Sequence, residues 1–252
     1  MLRLGCALQC IDYKLFAITM RIFALIAVFV VVATAVAQKR VLFIGDSITD
    51  GNWGNSKYWN QPCSDRDLND MNHIFGHGYM YLCASKLMAE HPGQYQCLNR
   101  GISGNTVQDL AARWQVDAVD VNADVVSILI GINDVINAGV QNVDVQKFED
   151  TYQSLIDRLK AKNANVKIVL GEPFCTLGSR VDTIGVNARN CKTLALAVKR
   201  LAEKNGASFV PYAQMFEKLC ADGSNNYWIW DGVHPTPAGH YKMFQLIYDY
   251  IK

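Results

Sequence analysis

From residue 40 onward, short apolar runs alternate with longer stretches of helical periodicity, and this alternation constrains the fold more than any other feature. The strand candidates are 41–45, 95–99, 125–130, 166–170 and 207–210. Helical patterns fall between and after them at about 78–90, 107–119, 145–162, 186–205 and 237–251. Strands separated by helices need crossover connections, so the sheet they form is expected to be parallel and covered on both faces. The predicted architecture is a three-layer α/β/α domain of flavodoxin-like type with a central, mainly five-stranded parallel sheet.

Composition agrees with one globular domain. Half of the 252 residues are hydrophobic and 19% are charged, which excludes intrinsic disorder. Lys and Arg number 24 against 23 Asp and Glu, so the net charge of +1 gives no footing for a nucleic-acid binder or a charge-driven membrane binder. No internal repeat of solenoid period is visible.

The first 37 residues read as something other than fold. Residues 22–37 are apolar apart from Thr34, follow Arg21, and end in Ala35-Val36-Ala37 before Gln38. That is the layout of a secretory signal with small residues at its cleavage site. Sixteen residues fall short of the roughly 20 needed to span a bilayer, so no stable membrane insertion of the mature chain is expected. Met20 precedes Arg21, so residues 1–19 read as an extension upstream of a conventional signal. The expected organisation is an extension and signal over 1–37 and one globular domain over 38–252, secreted or periplasmic after cleavage near Ala37. Six cysteines remain beyond the leader: Cys63, Cys83, Cys97, Cys175, Cys191 and Cys220. They could support disulfides after export, but six thiols allow 15 pairings, and Cys83 and Cys97 read equally well as buried thiols. No Cys-x-x-Cys pair suggests a zinc knuckle or redox site.

In parallel α/β sheets ligands bind at the carboxyl ends of the strands, which directs attention to Asp46-Ser47, residues 100–106, 131–134 and 172–174. Ser47 follows a Gly-Asp turn at a strand end and opens a helix, which leaves its hydroxyl exposed and its N–H free to donate. Near the other end of the chain, Asp231 and His234 are three residues apart, close enough for the carboxylate to orient the imidazole. The segment 52–75 carries Trp53, Tyr58, Trp59 and His73 with little apolar periodicity, as a loop walling a pocket would.

Four blocks appear in order: Gly45-Asp46-Ser47-Ile48-Thr49-Asp50, Asn99-Arg100-Gly101-Ile102-Ser103-Gly104-Asn105-Thr106, Gly131-Ile132-Asn133-Asp134 and Asp231-Gly232-Val233-His234. In these the chain resembles the SGNH (GDSL-type) hydrolase family over nearly all of residues 38–252. The resemblance implies a serine ester hydrolase in which Ser47 is the nucleophile, His234 the general base and then acid, and Asp231 its orienting carboxylate. It also implies an oxyanion hole built from the N–H of Ser47, the N–H of Gly104 and the side-chain amide of Asn133. Gly101 competes with Gly104 for the glycine of the second block, but being nearer the strand end it is assigned to a tight turn. Asp46 and Asp134 are read as turn or cap residues. The resemblance implies no cofactor.

The machinery alone does not select a substrate. Export, aromatic residues near the expected site (Trp53, Trp59, Tyr227, Trp228, Trp230) and the lack of a long apolar stripe for an acyl chain point towards a carbohydrate. The long loop after Ser47 and the segment Glu172-Pro173-Phe174 also resemble exported members that act on acetylated polysaccharides. The expectation is therefore a carbohydrate O-acetylesterase, with Trp53, Trp59, Glu172, Phe174 and Trp230 as substrate contacts. An exported lysophospholipase or short-chain lipid esterase is the main alternative, and a non-catalytic carbohydrate-binding protein on the same scaffold is another. Arg180 is read as a solvated surface residue rather than a ligand for a sugar carboxylate. His73 and His77 have the spacing of two helical metal ligands, but no motif supplies a third and Gly76 and Gly78 weaken the helix, so no metal is assigned.

Overall fold

A computed structural model describes residues 37–181 and 185–252. The apolar run 22–36 lies outside the described residues. Five strands form one sheet: β1 (Lys39–Gly45), β2 (Tyr95–Gly101), β3 (Val125–Leu129), β4 (Lys167–Gly171) and β5 (Ser208–Val210). Their order is β2-β1-β3-β4-β5 and every pairing is parallel. Val41, Leu42, Phe43 and Ile44 are fully buried and every residue of β3 is buried. Such continuous apolar runs follow from helices covering both faces of the sheet.

The helices are α1 (Ser47–Asp50), α2 (Tyr79–Glu90), α3 (Val107–Trp114), α4 (Ile132–Ala138), α5 (Val145–Lys162), α6 (Val186–Asn205), α7 (Tyr212–Leu219), α8 (Asn225–Trp228) and α9 (Pro237–Ile251). One layer packs α2 against α9; the other packs α3 against α5 and α5 against α6. The chain leaves β1 towards β2 on one side and reaches β3 on the other, so the carboxyl end of β1 opens into the crevice of a topological switch point.

Departures from the sequence reading have local causes. The helical pattern over 107–119 is α-helical only to Trp114 and continues as a π-helical turn over Gln115–Val119. There the buried Trp114 donates its indole N–H to the Leu155 carbonyl at 3.0 Å, and Asp117 pairs with Arg113 at 2.9 Å. β2 runs two residues further than its apolar stretch because Asn99 is buried with its polar groups satisfied. Its amide donates to the carbonyls of Thr49, Asp50 and Phe75 at 2.9–3.1 Å. Gly101 is therefore the last strand residue and not a turn. A Cβ there would meet the Asp50 nitrogen at 2.4 Å, so it lets β2 pass close to α1.

Candidate active site

The site is assembled where β1 ends. The Asp46 side chain caps α1 by accepting from the Ile48 N–H at 3.0 Å, which fixes the turn that presents Ser47. As the first residue of a helix, Ser47 has no intrahelical acceptor for its own N–H. Its Oγ lies 2.8 Å from Nε2 of His234. The other ring nitrogen, Nδ1, donates to Oδ2 of Asp231 at 2.7 Å. Since an ionised carboxylate only accepts, this bond sets the tautomer: Nδ1 carries the proton and Nε2 faces the serine as an acceptor. Asp231 is fully buried, and its Oδ1 accepts from the N–H groups of Val233 at 3.0 Å and His234 at 2.7 Å. Burial pushes the Asp231 carboxyl up, but the hydrogen bonds from His234 and Val233 outweigh it and hold the group below its ordinary range.

Gly104 and Asn133 come from the loops after β2 and β3. The Gly104 backbone has φ +83°, a conformation that favours glycine, and a Cβ there would lie 2.3 Å from the Trp59 ring. Asn133 donates one amide hydrogen to the Asn105 carbonyl at 3.0 Å, which orients the group and leaves its second hydrogen without an acceptor among the described residues.

Behind these groups is bracing that the sequence reading missed. Asp50 takes a two-pronged contact from Arg66 at 2.5 and 3.1 Å, and its Oδ2 also accepts from the N–H and Oγ of Ser103 at 2.9 and 2.8 Å. Arg66 also donates to the Trp53 carbonyl at 3.1 Å and stacks on the Trp53 ring at 4.7 Å. One buried ion pair thus ties α1, the loop 52–75 and the Gly104 loop together. Arg113 joins the carbonyls of Gly45 and Arg100 to the Asn105 side chain, bracing the ends of β1 and β2 and the loop that follows β2. Asp50 stands in a recognised block, but Arg66 and Arg113 carry no periodic or motif signal, so their partners could not be read. Asp46 and Asp134 do act as caps: Asp134 accepts from the Val107 N–H at 3.2 and 3.3 Å. Burial pushes both carboxyls up to about 7.

Ser47 and His234 open onto a cavity of about 820 Å³. Its walls include Tyr81 and Leu82 of α2, Tyr241 of α9, and Trp230, Pro235 and Arg180. Tyr81, Trp230 and Tyr241 are exposed, so their rings are available to a ligand. The walls are more apolar than the polar loops alone suggested, because α2 and α9 build much of them.

The expected substrate contacts divide. Trp230 lines the cavity, and Trp59 stands exposed against Gly104. Trp53 is fully buried and donates its indole N–H to the Gly101 carbonyl at 2.9 Å; it supports the loop and is withdrawn as a contact. Glu172 and Phe174 are also withdrawn. They line a separate cavity of about 520 Å³, where Glu172 accepts from the Ala213 N–H at the start of α7 and Phe174 packs on Phe216 at 4.7 Å. Arg180 is not merely solvated: its Nε lies 3.0 Å from Oδ2 of Asp231. His73 pairs with Asp70 at 2.7 Å and His77 lines the Ser47 cavity, neither of them in a helix, so the helical ligand spacing is not realised.

Residues 43–242 match the GDSL-like lipase/acylhydrolase family. The chain belongs to this family. It is 34% identical over 209 residues to an acetylxylan esterase of Geobacillus stearothermophilus, covering 80% of this chain and 89% of that one. A crystal structure of an acetylxylan esterase from that organism superposes with a TM-score of 0.69 at 31% identity, over 84% of this chain and 94% of that one. Catalytic mutants of it, with a serine, an aspartate or a histidine replaced by alanine, superpose with the same TM-score. An α/β hydrolase from the metagenome of Lake Arreo matches with a TM-score of 0.66 at 28% identity, over 86% and 97% of the two chains. As a GDSL-type enzyme, the protein is a serine ester hydrolase on a five-stranded α/β scaffold.

Proposed function

We propose that this esterase removes O-acetyl groups from a carbohydrate. The observation that carries the reading is the hydrogen-bonded line from Ser47 through His234 to Asp231, at 2.8 and 2.7 Å, opening onto a cavity with three exposed aromatic rings. The similarity to an acetylxylan esterase supports the choice of substrate.

Ser47 Oγ attacks the ester carbonyl while His234 Nε2 takes its proton, and Asp231 stabilises the imidazolium that results. The N–H groups of Ser47 and Gly104 and the spare amide hydrogen of Asn133 receive the charge on the carbonyl oxygen. His234 then returns its proton to the leaving sugar hydroxyl, leaving an acetyl group on Ser47. Water, activated by the same imidazole, releases acetate. The aromatic rings suit the apolar faces of a sugar. The leader over residues 1–37 supports export, with the hydrolase domain over 38–252 released after cleavage near Ala37.

The apolar contributions of Ile48, Leu82, Pro235 and Pro237 to the walls favour a second reading, an esterase of longer acyl chains. Hydrolysis of p-nitrophenyl esters from acetate to octanoate, together with acetate release from acetylated xylan, separates the two. A preference for acetate with release from the polysaccharide is expected. A preference for longer chains without such release overturns the carbohydrate assignment.

A further inference from the structure

The Asp231 carboxylate has more partners than orienting one histidine requires. Oδ1 takes two backbone N–H groups, and Oδ2 receives Nδ1 of His234 at 2.7 Å while lying 3.0 Å from Nε of Arg180. The loop that carries Arg180 lies directly on the Asp231 turn. The N–H groups of Arg180 and Thr176 each donate at 2.9 Å, to the carbonyls of Asp231 and Gly232 respectively. A Cβ on Gly178 would come within 2.2 Å of the Gly232 nitrogen, so no other residue allows this approach without displacement. Beyond its Nε contact, the Arg180 side chain is 57% exposed and lines the cavity of Ser47.

We infer that Arg180 is a positioning residue for the reaction. It holds the Asp231 carboxylate, and through it the His234 ring, and sets a permanent positive charge on the oxygen that receives the imidazole. The inference rests on the proposed role of Ser47, His234 and Asp231. The Nδ1 hydrogen bond and the Arg180 ion pair on Oδ2 together restrict rotation of the carboxylate and so hold the imidazole in line with Ser47. A guanidinium does not titrate in the working range, and its charge opposes a second positive charge on the ring. The other titratable groups lining the same cavity are His240 and Tyr241 of α9, Tyr81 of α2, and His77. His240 accepts the Tyr79 N–H at its Nδ1, and burial pushes it down to about 4, so it stays neutral where the enzyme works.

The test is the pH profile of Arg180→Gln and Arg180→Lys with p-nitrophenyl acetate, a neutral ester that needs no cation for binding. Because the Arg180 side chain is more than half exposed, Arg180→Gln is expected to lower kcat by only about five-fold with KM unchanged. The acid limb of kcat/KM should move up by roughly half a pH unit. Arg180→Lys keeps the charge and should keep the limb in place while losing part of kcat. If Arg180→Gln fails to fold, Arg180→Met repeats the measurement with the apolar stem preserved. A wild-type kcat and limb in a folded Arg180→Gln variant overturns the inference. So does a fall in melting temperature and active fraction with the limb unmoved, which a purely structural arginine would give. Ser47→Ala, assayed alongside, tests the catalytic line separately, so a silent Arg180 variant beside an inactive Ser47→Ala refutes only the arginine's role.

Discussion

Gly104 carries two constraints at a single Cα. Its φ of +83° strains any L-residue, and the Trp59 ring occupies the space a methyl group would take. Gly104→Ala is expected to lower kcat/KM at least about ten-fold by displacing the N–H proposed as a donor to the oxyanion. Because Trp59 is exposed and can move, adding Trp59→Ala should restore part of the loss, leaving the share due to backbone strain. Equal rates for the single and double variants would show that the ring contact is without consequence. Asp46 makes a prediction about pH. Burial raises its carboxyl from 3.8 to about 7 in the folded protein, so the folded state holds the proton where the unfolded chain has lost it. Its contribution to stability is complete below the unfolded range and disappears as pH rises from about 4 to about 7. Asp46→Asn keeps the oxygen that caps Ile48 but cannot ionise. The melting temperature of wild type relative to this variant should therefore fall across that window and be level above it. A constant offset would contradict the assignment.

At the level of elements, the catalytic loops are held by polar side chains instead of by periodic apolar faces. Asp50 and Arg66 join α1, the loop 52–75 and the Ser103-Gly104 turn, and both side chains are almost completely buried. Removing one partner of a buried pair leaves the other charge unmatched, so Arg66→Met is predicted to cost about 3–5 kcal/mol in stability. Asp50→Asn combined with Arg66→Met should cost less than the two single changes added together, as chemical denaturation of the four proteins would show. Additive costs would mean that the pair is not coupled. This bracing also explains what the sequence reading could locate and what it could not. Val41 to Ile44 announce β1 by their apolarity, whereas the extension of β2 through Asn99 to Gly101 depends on hydrogen bonds to Thr49, Asp50 and Phe75. Polar burial of that kind has no period.

Across the whole molecule, strand and helix alternation was enough to predict a parallel sheet, and the four blocks were enough to bring Ser47, Gly104, Asn133, Asp231 and His234 to its carboxyl edge. The substrate walls were much less legible. Tyr81 and Tyr241 belong to α2 and α9, which pack together, yet both rings are exposed at the Ser47 cavity. In sequence they are ordinary exposed helix positions. Conversely, Trp53 and Phe174 are aromatic residues near catalytic blocks that the fold uses as core. Proximity in sequence to a motif could not distinguish a ring facing ligand from a ring facing the interior.

The proposed reaction requires Ser47 to accept the acyl group. The most direct measurement is to quench the wild-type enzyme during turnover of an acetyl ester, map the acetylated peptide by mass spectrometry, and assay Ser47→Ala in parallel. Acetyl on Ser47 is expected, with a loss of turnover of about four to six orders of magnitude in the variant. An acetyl group mapped to another residue, or turnover retained by folded Ser47→Ala, would contradict it.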